Sequence, residues 1–252
     1  MRYNSNSNPV MSDKFFSNIS GNEVMTYEGA MQKIGILLGF VVISALFTAA
    51  FSLEALHNND LGLLYMLAIG GAISGFVLAM IIYYSRPKNP APLMITYALI
   101  EGVFIGAMSS VMEHFYQGIV IQAILGTLAI FISMYFLYVS KVLRPTPTFN
   151  KIVISLTMSI MLLYVISMVI SLATPYQMPL LHSSSPMGIG LTVFILVIAA
   201  LNLIMDFGFI EQSVQNRTPK VGEWWGAFGM LITLIWIYIE VLRLLSKLRS
   251  RN

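Results

Sequence analysis

The chain has no cysteine and only three histidines, His57, His114 and His182, among its 252 residues. The first absence excludes disulfides, thiolate metal sites and cysteine nucleophiles. The second argues against a histidine-built metal centre. Charge is scarce too: Asp, Glu, Lys and Arg make up 10% of the chain, against about 25% in soluble domains. Apolar side chain takes its place, at 57% of residues and a mean hydropathy of +0.79. No water-soluble core of this size hides that much apolar surface, so the surrounding solvent is lipid. A secreted domain, a nucleic-acid-binding module and an ordinary cytosolic enzyme are excluded. The net charge of +3 and pI near 9.1 then point to basic loops on one membrane face.

Residues 1–32 are polar and rich in Asn and Ser at the start, with no apolar run before Ile34. A secretory signal puts its apolar stretch close behind a basic start, so this segment reads as a cytosolic tail, with a short amphipathic helix around residues 26–33. A helical span needs about 20 apolar residues to cross roughly 30 Å of hydrocarbon. Seven stretches qualify: residues 34–53, 61–84, 92–112, 118–139, 152–173, 187–211 and 224–245. They are continuous where barrel strands would alternate over about ten residues, so they are helices. The expected organisation is a polar tail (1–32), a seven-helix transmembrane domain (33–247) and a short basic end (248–252).

Loop charge sets the orientation. The tail carries Arg2, Lys14 and Lys33, the second joint Arg86 and Lys88, the fourth Lys141, Arg144 and Lys151, and the sixth Arg217 and Lys220. The first, third and fifth joints carry no Lys or Arg, but hold Glu54, Asp60, Glu113 and the three histidines. The N-terminus is therefore expected in the cytosol. Seven crossings leave the C-terminus outside, although Lys247, Arg249 and Arg251 are basic. Either this end tolerates the wrong side or the last segment re-enters. Ten basic residues already fix the other loops, so seven full crossings are expected.

Gly71 and Gly75, Gly102 and Gly106, and Gly222 and Gly226 recur at four-residue spacing. Such small-xxx-small faces let helices approach closely in lipid. Ionisable residues within spans are costly, roughly 2.5–3.5 kcal/mol each on insertion scales, so each calls for a functional hypothesis. They are Glu101, Asp206, Glu211, Glu240 and Arg243. Glu101 reads equally as a carboxyl hydrogen-bonded across helices, with Tyr97 one turn away, or as a functional acid. Glu211 reads as an interfacial cap. Glu240 and Arg243 have the i,i+3 spacing of a local ion pair. If Asp206 and Glu240 instead meet across helices, two carboxylates share one site and titrate as a unit. Such an oxygen cluster also suits a hard cation such as calcium. No metalloprotease, nucleophile-elbow or Walker motif occurs. An aspartyl intramembrane protease needs two aspartates, and the spans hold only Asp206. Neither catalysis nor a resident cofactor is expected.

Tyr97-Ala98-Leu99-Ile100-Glu101-Gly102, Asp206-Phe207 and Tyr238-Ile239-Glu240-Val241-Leu242-Arg243-Leu244-Leu245 resemble the Bax inhibitor motif family, its bacterial branch most closely, over roughly residues 25–248. The resemblance implies an all-α membrane protein, a bundle of seven transmembrane helices with the last one central. It also implies a pH-regulated calcium leak gated by acids on helices six and seven, here Asp206 and Glu240, with Arg86 the match for an arginine near the end of helix two. The chain departs from the pattern in placing Glu240 where aspartate is usual and in separating it from Asp206 by 34 residues. Asp206 lies 13 residues before Pro219 and Glu240 lies 21 after it. In straight helices that leaves them about 12 Å apart in depth. Glu211 is then the alternative partner, and Glu101 a candidate pore-lining or secondary acid.

Two function classes follow. One is a pH-sensitive cation leak, with calcium transported or held between Asp206 and Glu240. The other is a non-channel modulator of a membrane protease or another membrane complex, with residues 1–32 as its handle. A proton-coupled transporter would need a cavity at mid-depth, and no strongly broken helix marks one. The expected setting is the cell membrane, a bacterial inner membrane on the resemblance, with the chain a monomer or weak oligomer and no nucleic-acid partner.

Overall fold

Capping chemistry decides where the apolar runs start as helices. Thr26 accepts the Gly29 N–H at 3.0 Å and opens α1, Tyr27–His57. Thr146 and Ser185 cap α5 (Pro147–Ala173) and α6 (Pro186–Gln215) in the same way, each followed by proline at the first helical position. Glu113 accepts the Gly118 and Val120 N–H groups at the start of α4, Ile119–Val139. The remaining spans are α2 (Leu61–Ser85), α3 (Ala91–Phe115) and α7 (Gly222–Arg249). A single helical turn, Pro179–His182, precedes α6. These caps explain why α1 begins seven residues before Ile34 and α5 five before Ile152, where hydropathy alone placed the starts.

The computed structural model describes residues 23–57, 61–173 and 178–251. Most of the polar tail, Asp60 and the Thr174-Pro175 joint lie outside the described residues. All seven long helices are long and apolar enough to cross a membrane. Large apolar side chains face outward along them, among them Phe47, Met66, Phe136 and Leu162. Lipid is the solvent that makes such a surface stable. This is a multi-pass, all-α membrane protein.

Three helix ends turn through left-handed backbone at basic residues: Arg86 after α2, Lys141 after α4 and Arg217 after α6. A cation there meets the partial negative charge of the helix C-terminus. All three belong to the even-numbered joints that supplied the orientation argument.

By their contacts the described residues form two compact units, 23–120 with 209–231, and 121–208 with 232–251. In the first, α3 is the hub. Gly102 and Gly106 lie so close to Val41, Ser44, Ala45 and Thr48 of α1 that a Cβ at either would meet backbone oxygen at 2.6 Å. The Ser44 hydroxyl donates to the Leu99 carbonyl at 2.7 Å across that seam. In the second unit α6 and α7 run antiparallel. Lys247 meets Gly188 and Thr192 near the start of α6, while Thr233 bonds Asp206 two-thirds along it. α7 is one unbroken helix of 28 residues, about 42 Å long. It is long and apolar enough to cross, with no break of the kind a re-entrant segment needs. It is also the most buried of the seven spans, with α6 next.

Candidate functional site

Asp206 sits on α6 in a sequence that aims it inward. Phe207 turns to an aromatic cluster with Phe131, Tyr135 and Tyr138, ring centroids 5.6–5.7 Å away. Gly208 has Pro145 packed where a Cβ would stand. With those neighbours fixed, the Asp206 side chain is 1% exposed and faces α7. The Thr233 hydroxyl donates to it, and its Oδ2 has no hydrogen-bond donor among the described residues. No Lys or Arg among the described residues forms an ion pair with it. This is a buried acid with one oxygen satisfied and its charge uncompensated.

Glu240 is as deeply buried, also 1% exposed, and is surrounded differently. Tyr164 of α5 donates its hydroxyl hydrogen to Oε1 at 2.5 Å. Arg243, one turn on, donates Nη1–H to Oε1 at 3.1 Å and Oε2 at 3.3 Å, and to the Tyr164 oxygen at 2.8 Å. Its guanidinium also lies 5.2 Å from the Tyr164 ring centroid. Carboxylate, phenol and guanidinium thus close a triangle in which every partner is charge-assisted. One turn further, buried Lys247 donates to the Gly188 carbonyl at 3.0 Å and the Thr192 hydroxyl oxygen at 2.9 Å. A basic residue at this end is accommodated because α6 supplies oxygens for it.

The structure therefore does not bring Asp206 and Glu240 together. Thr233, the partner of Asp206, precedes Glu240 by seven residues on α7, roughly 10 Å along the axis. Glu211 is half-buried near the end of α6 and accepts from Gln215 at 3.3 Å. Arg86 is exposed at the end of α2 and belongs to the other unit. Glu101 is buried in α3, takes a hydrogen bond from Tyr97 on its own helix, and lies 2.5 Å from the point where Gly75 of α2 would carry a Cβ. Among the described residues no three His, Cys, Asp or Glu side chains cluster closely enough to hold a metal ion.

Four participants escaped the sequence reading. Tyr164 and Thr233 are ordinary members of apolar runs, and only the fold reveals their partners. Lys247 reads from the sequence as a terminal charge. Glu223 opens α7 and is 1% exposed; its carboxyl accepts both the backbone N–H and the hydroxyl of Thr26, at 3.1 and 3.2 Å. An acid in a helix's first turn had a local signal, since it suits the helix dipole, but its partner lies 197 residues away.

The model of the family described as Bax inhibitor 1 like matches the chain over residues 8–250. The chain belongs to that family. Among curated proteins and among solved structures, none matches it.

Proposed function

We propose that this chain is a pH-sensitive cation leak with calcium as cargo, and that the protonation state of Asp206 sets its closed–open balance. The observation that carries the reading is the Asp206 carboxyl itself, buried, its Oδ2 without a hydrogen-bond donor among the described residues. Neutral, such a group sits in an apolar seam at modest cost; ionised, it must draw in water or a cation or move. A group in that position biases α6 against α7, and two helix arrangements of similar energy are all that a gate requires. Glu240 plays the steadier part, its charge answered by Arg243 and its orientation fixed by Tyr164. The resemblance to leak-forming members of the family supports the same class of function, with Arg86 the match for an arginine near the end of their second helix. The basic even-numbered joints support an N-terminus in the cytosol and a cell-membrane setting.

The test uses purified protein in liposomes loaded with a calcium indicator. Influx is followed at several pH values for the wild type, Asp206→Asn, Glu240→Gln and Arg86→Gln. The expected result is a pH-dependent wild-type flux that loses its pH dependence in Asp206→Asn. An unchanged dependence in that variant moves the sensor elsewhere, with Glu101 the next acid to replace. No flux above empty liposomes at any pH, from folded protein, rejects the leak and favours a modulator of a membrane protease or another membrane complex.

A further inference from the structure

The start of α1 is capped by a residue from the last helix. In an ordinary capping box the N-cap Thr accepts the N–H three residues on, and a Glu or Gln at that third position reaches back to the N-cap N–H. Thr26 fulfils the first half by accepting the Gly29 N–H. The third position is Gly29, which has no side chain to complete the box. Glu223 of α7 fills the vacancy and takes both the Thr26 N–H and the Thr26 hydroxyl on Oε1. A Cβ on Gly29 would overlap that carboxyl.

The residues just before Thr26 bind the same corner. Met25 donates its N–H to the Thr218 carbonyl at 2.7 Å, and Lys220 donates its own to the Glu23 carbonyl at 2.8 Å. Val24 and Pro219 form an isolated antiparallel bridge. The Met25 side chain is buried, its methyl 3.6 Å from the position of a Cβ on Gly226 in α7. Lys33 adds its ammonium over the Trp224 ring at 5.5 Å.

We propose that residues 23–29 are a detachable clasp that holds the start of α7, that Glu223 is its catch, and that releasing it regulates the leak. The regulatory half rests on the leak reading above. Detachability rests on the outer part of the clasp, beyond the buried Met25 side chain. Its bridge is a single one, and its ion pair, Glu23 with Lys220, is solvent-exposed. Glu223 Oε2 is buried without a donor among the described residues, so the closed state leaves the catch half-satisfied. α7 is continuous from Glu223 to Glu240, so freeing its first turn acts on the helix that carries the Glu240 triangle. Any partner that draws on the chain preceding Glu23 pulls on the clasp directly.

The chain has no cysteine, so an engineered pair is unambiguous. Residues facing each other in an antiparallel bridge are about 4.5–5.5 Å apart at Cα, within disulfide range. Val24→Cys with Pro219→Cys locks the clasp when oxidised, and Gly29→Ala releases it by expelling the Glu223 carboxyl while placing a good helix former in α1. Amide hydrogen exchange and calcium influx are measured on the full chain in liposomes. Gly29→Ala is expected to speed exchange roughly tenfold at residues 24–26 and at 222–226 together, as the loss of a charge-assisted hydrogen bond implies. It should also raise influx several-fold, and the oxidised disulfide added to Gly29→Ala should return both to wild-type values. Faster exchange at 24–26 with unchanged protection at 222–226 overturns the clasp. Coupled exchange with unaltered influx, in protein whose wild type leaks, overturns its regulatory role. If the wild type does not leak, the leak reading fails by itself and exchange alone decides whether Glu223 is the catch.

Discussion

Asp206 and Glu240 are buried to the same 1% exposure on neighbouring antiparallel helices, yet they are opposites electrostatically. Glu240 has a guanidinium, a phenol and a closed set of hydrogen bonds. Among the described residues Asp206 has one threonine hydroxyl and an oxygen with no donor. Burial therefore says little about what an acid does; the inventory of its partners says more. A compensated carboxylate holds helices together, because its charge is already answered and moving it forfeits the answer. An uncompensated one is sensitive, because its two protonation states differ in what they demand of the surroundings.

Removing the compensation should produce the largest effect. Arg243→Gln leaves Glu240 buried without its cation, a change worth about 3 kcal/mol of lost stability, at the lower end for buried pairs because the Arg243 side chain is 30% exposed. Thermal unfolding in detergent measures it. The double variant Glu240→Gln with Arg243→Gln should recover most of the loss, since no orphan charge remains. Equal losses in the single and double variants would mean that the triangle contributes packing alone, and the contrast with Asp206 would collapse.

A smaller effect is expected on the other acid. Thr233→Val removes the hydroxyl that serves Asp206 and should cost about 1–2 kcal/mol. Asp206→Asn keeps an acceptor for Thr233, removes the charge, and should change stability by less than about 1 kcal/mol while altering the pH response of any flux. A destabilisation by Asp206→Asn as large as that of Arg243→Gln would show a cation partner at Asp206 and erase the difference between the two sites.

The parts of this contrast that lie along the chain were legible in the sequence. Hydropathy is local, so seven spans could be counted, and Glu240 with Arg243 could be read as a pair from their spacing. Even the offset was visible, since straight-helix arithmetic put the two acids about 12 Å apart in depth and Thr233 precedes Glu240 by roughly 10 Å. What could not be read were contacts between distant helices. Tyr164 is 76 residues from Glu240, and nothing in its own apolar run distinguishes it from Tyr138. The Glu223 cap is the clearest case. Its signal is a glycine where a capping box would place Glu, and that gap acquires meaning only once another helix is seen to fill it.

Glu23 supplies the solvated control for the two buried acids, and it carries the smallest expected effect. Its side chain is 71% exposed, and its Lys220 partner is 56% exposed. The hydrogen bond and charge of Lys220 hold the Glu23 carboxyl below its ordinary value of 4.5, and Glu23 holds the Lys220 ammonium above its ordinary 10.5. A depressed acid contributes stability that is present above its unfolded value and lost as pH falls through the folded one. A raised base contributes stability that is present below its unfolded value and lost as pH rises through the folded one. Between these limits the pair contributes a constant amount, so across roughly pH 6 to 9 it supplies no pH dependence. Glu23→Gln should therefore change exchange at the Thr26 amide less than about twofold, with the difference vanishing in about 1 M salt, where charges screen over some 3 Å. The pH profile of any calcium influx should be untouched. A profile flattened by Glu23→Gln would place the sensor on an exposed surface pair rather than on an unanswered buried charge.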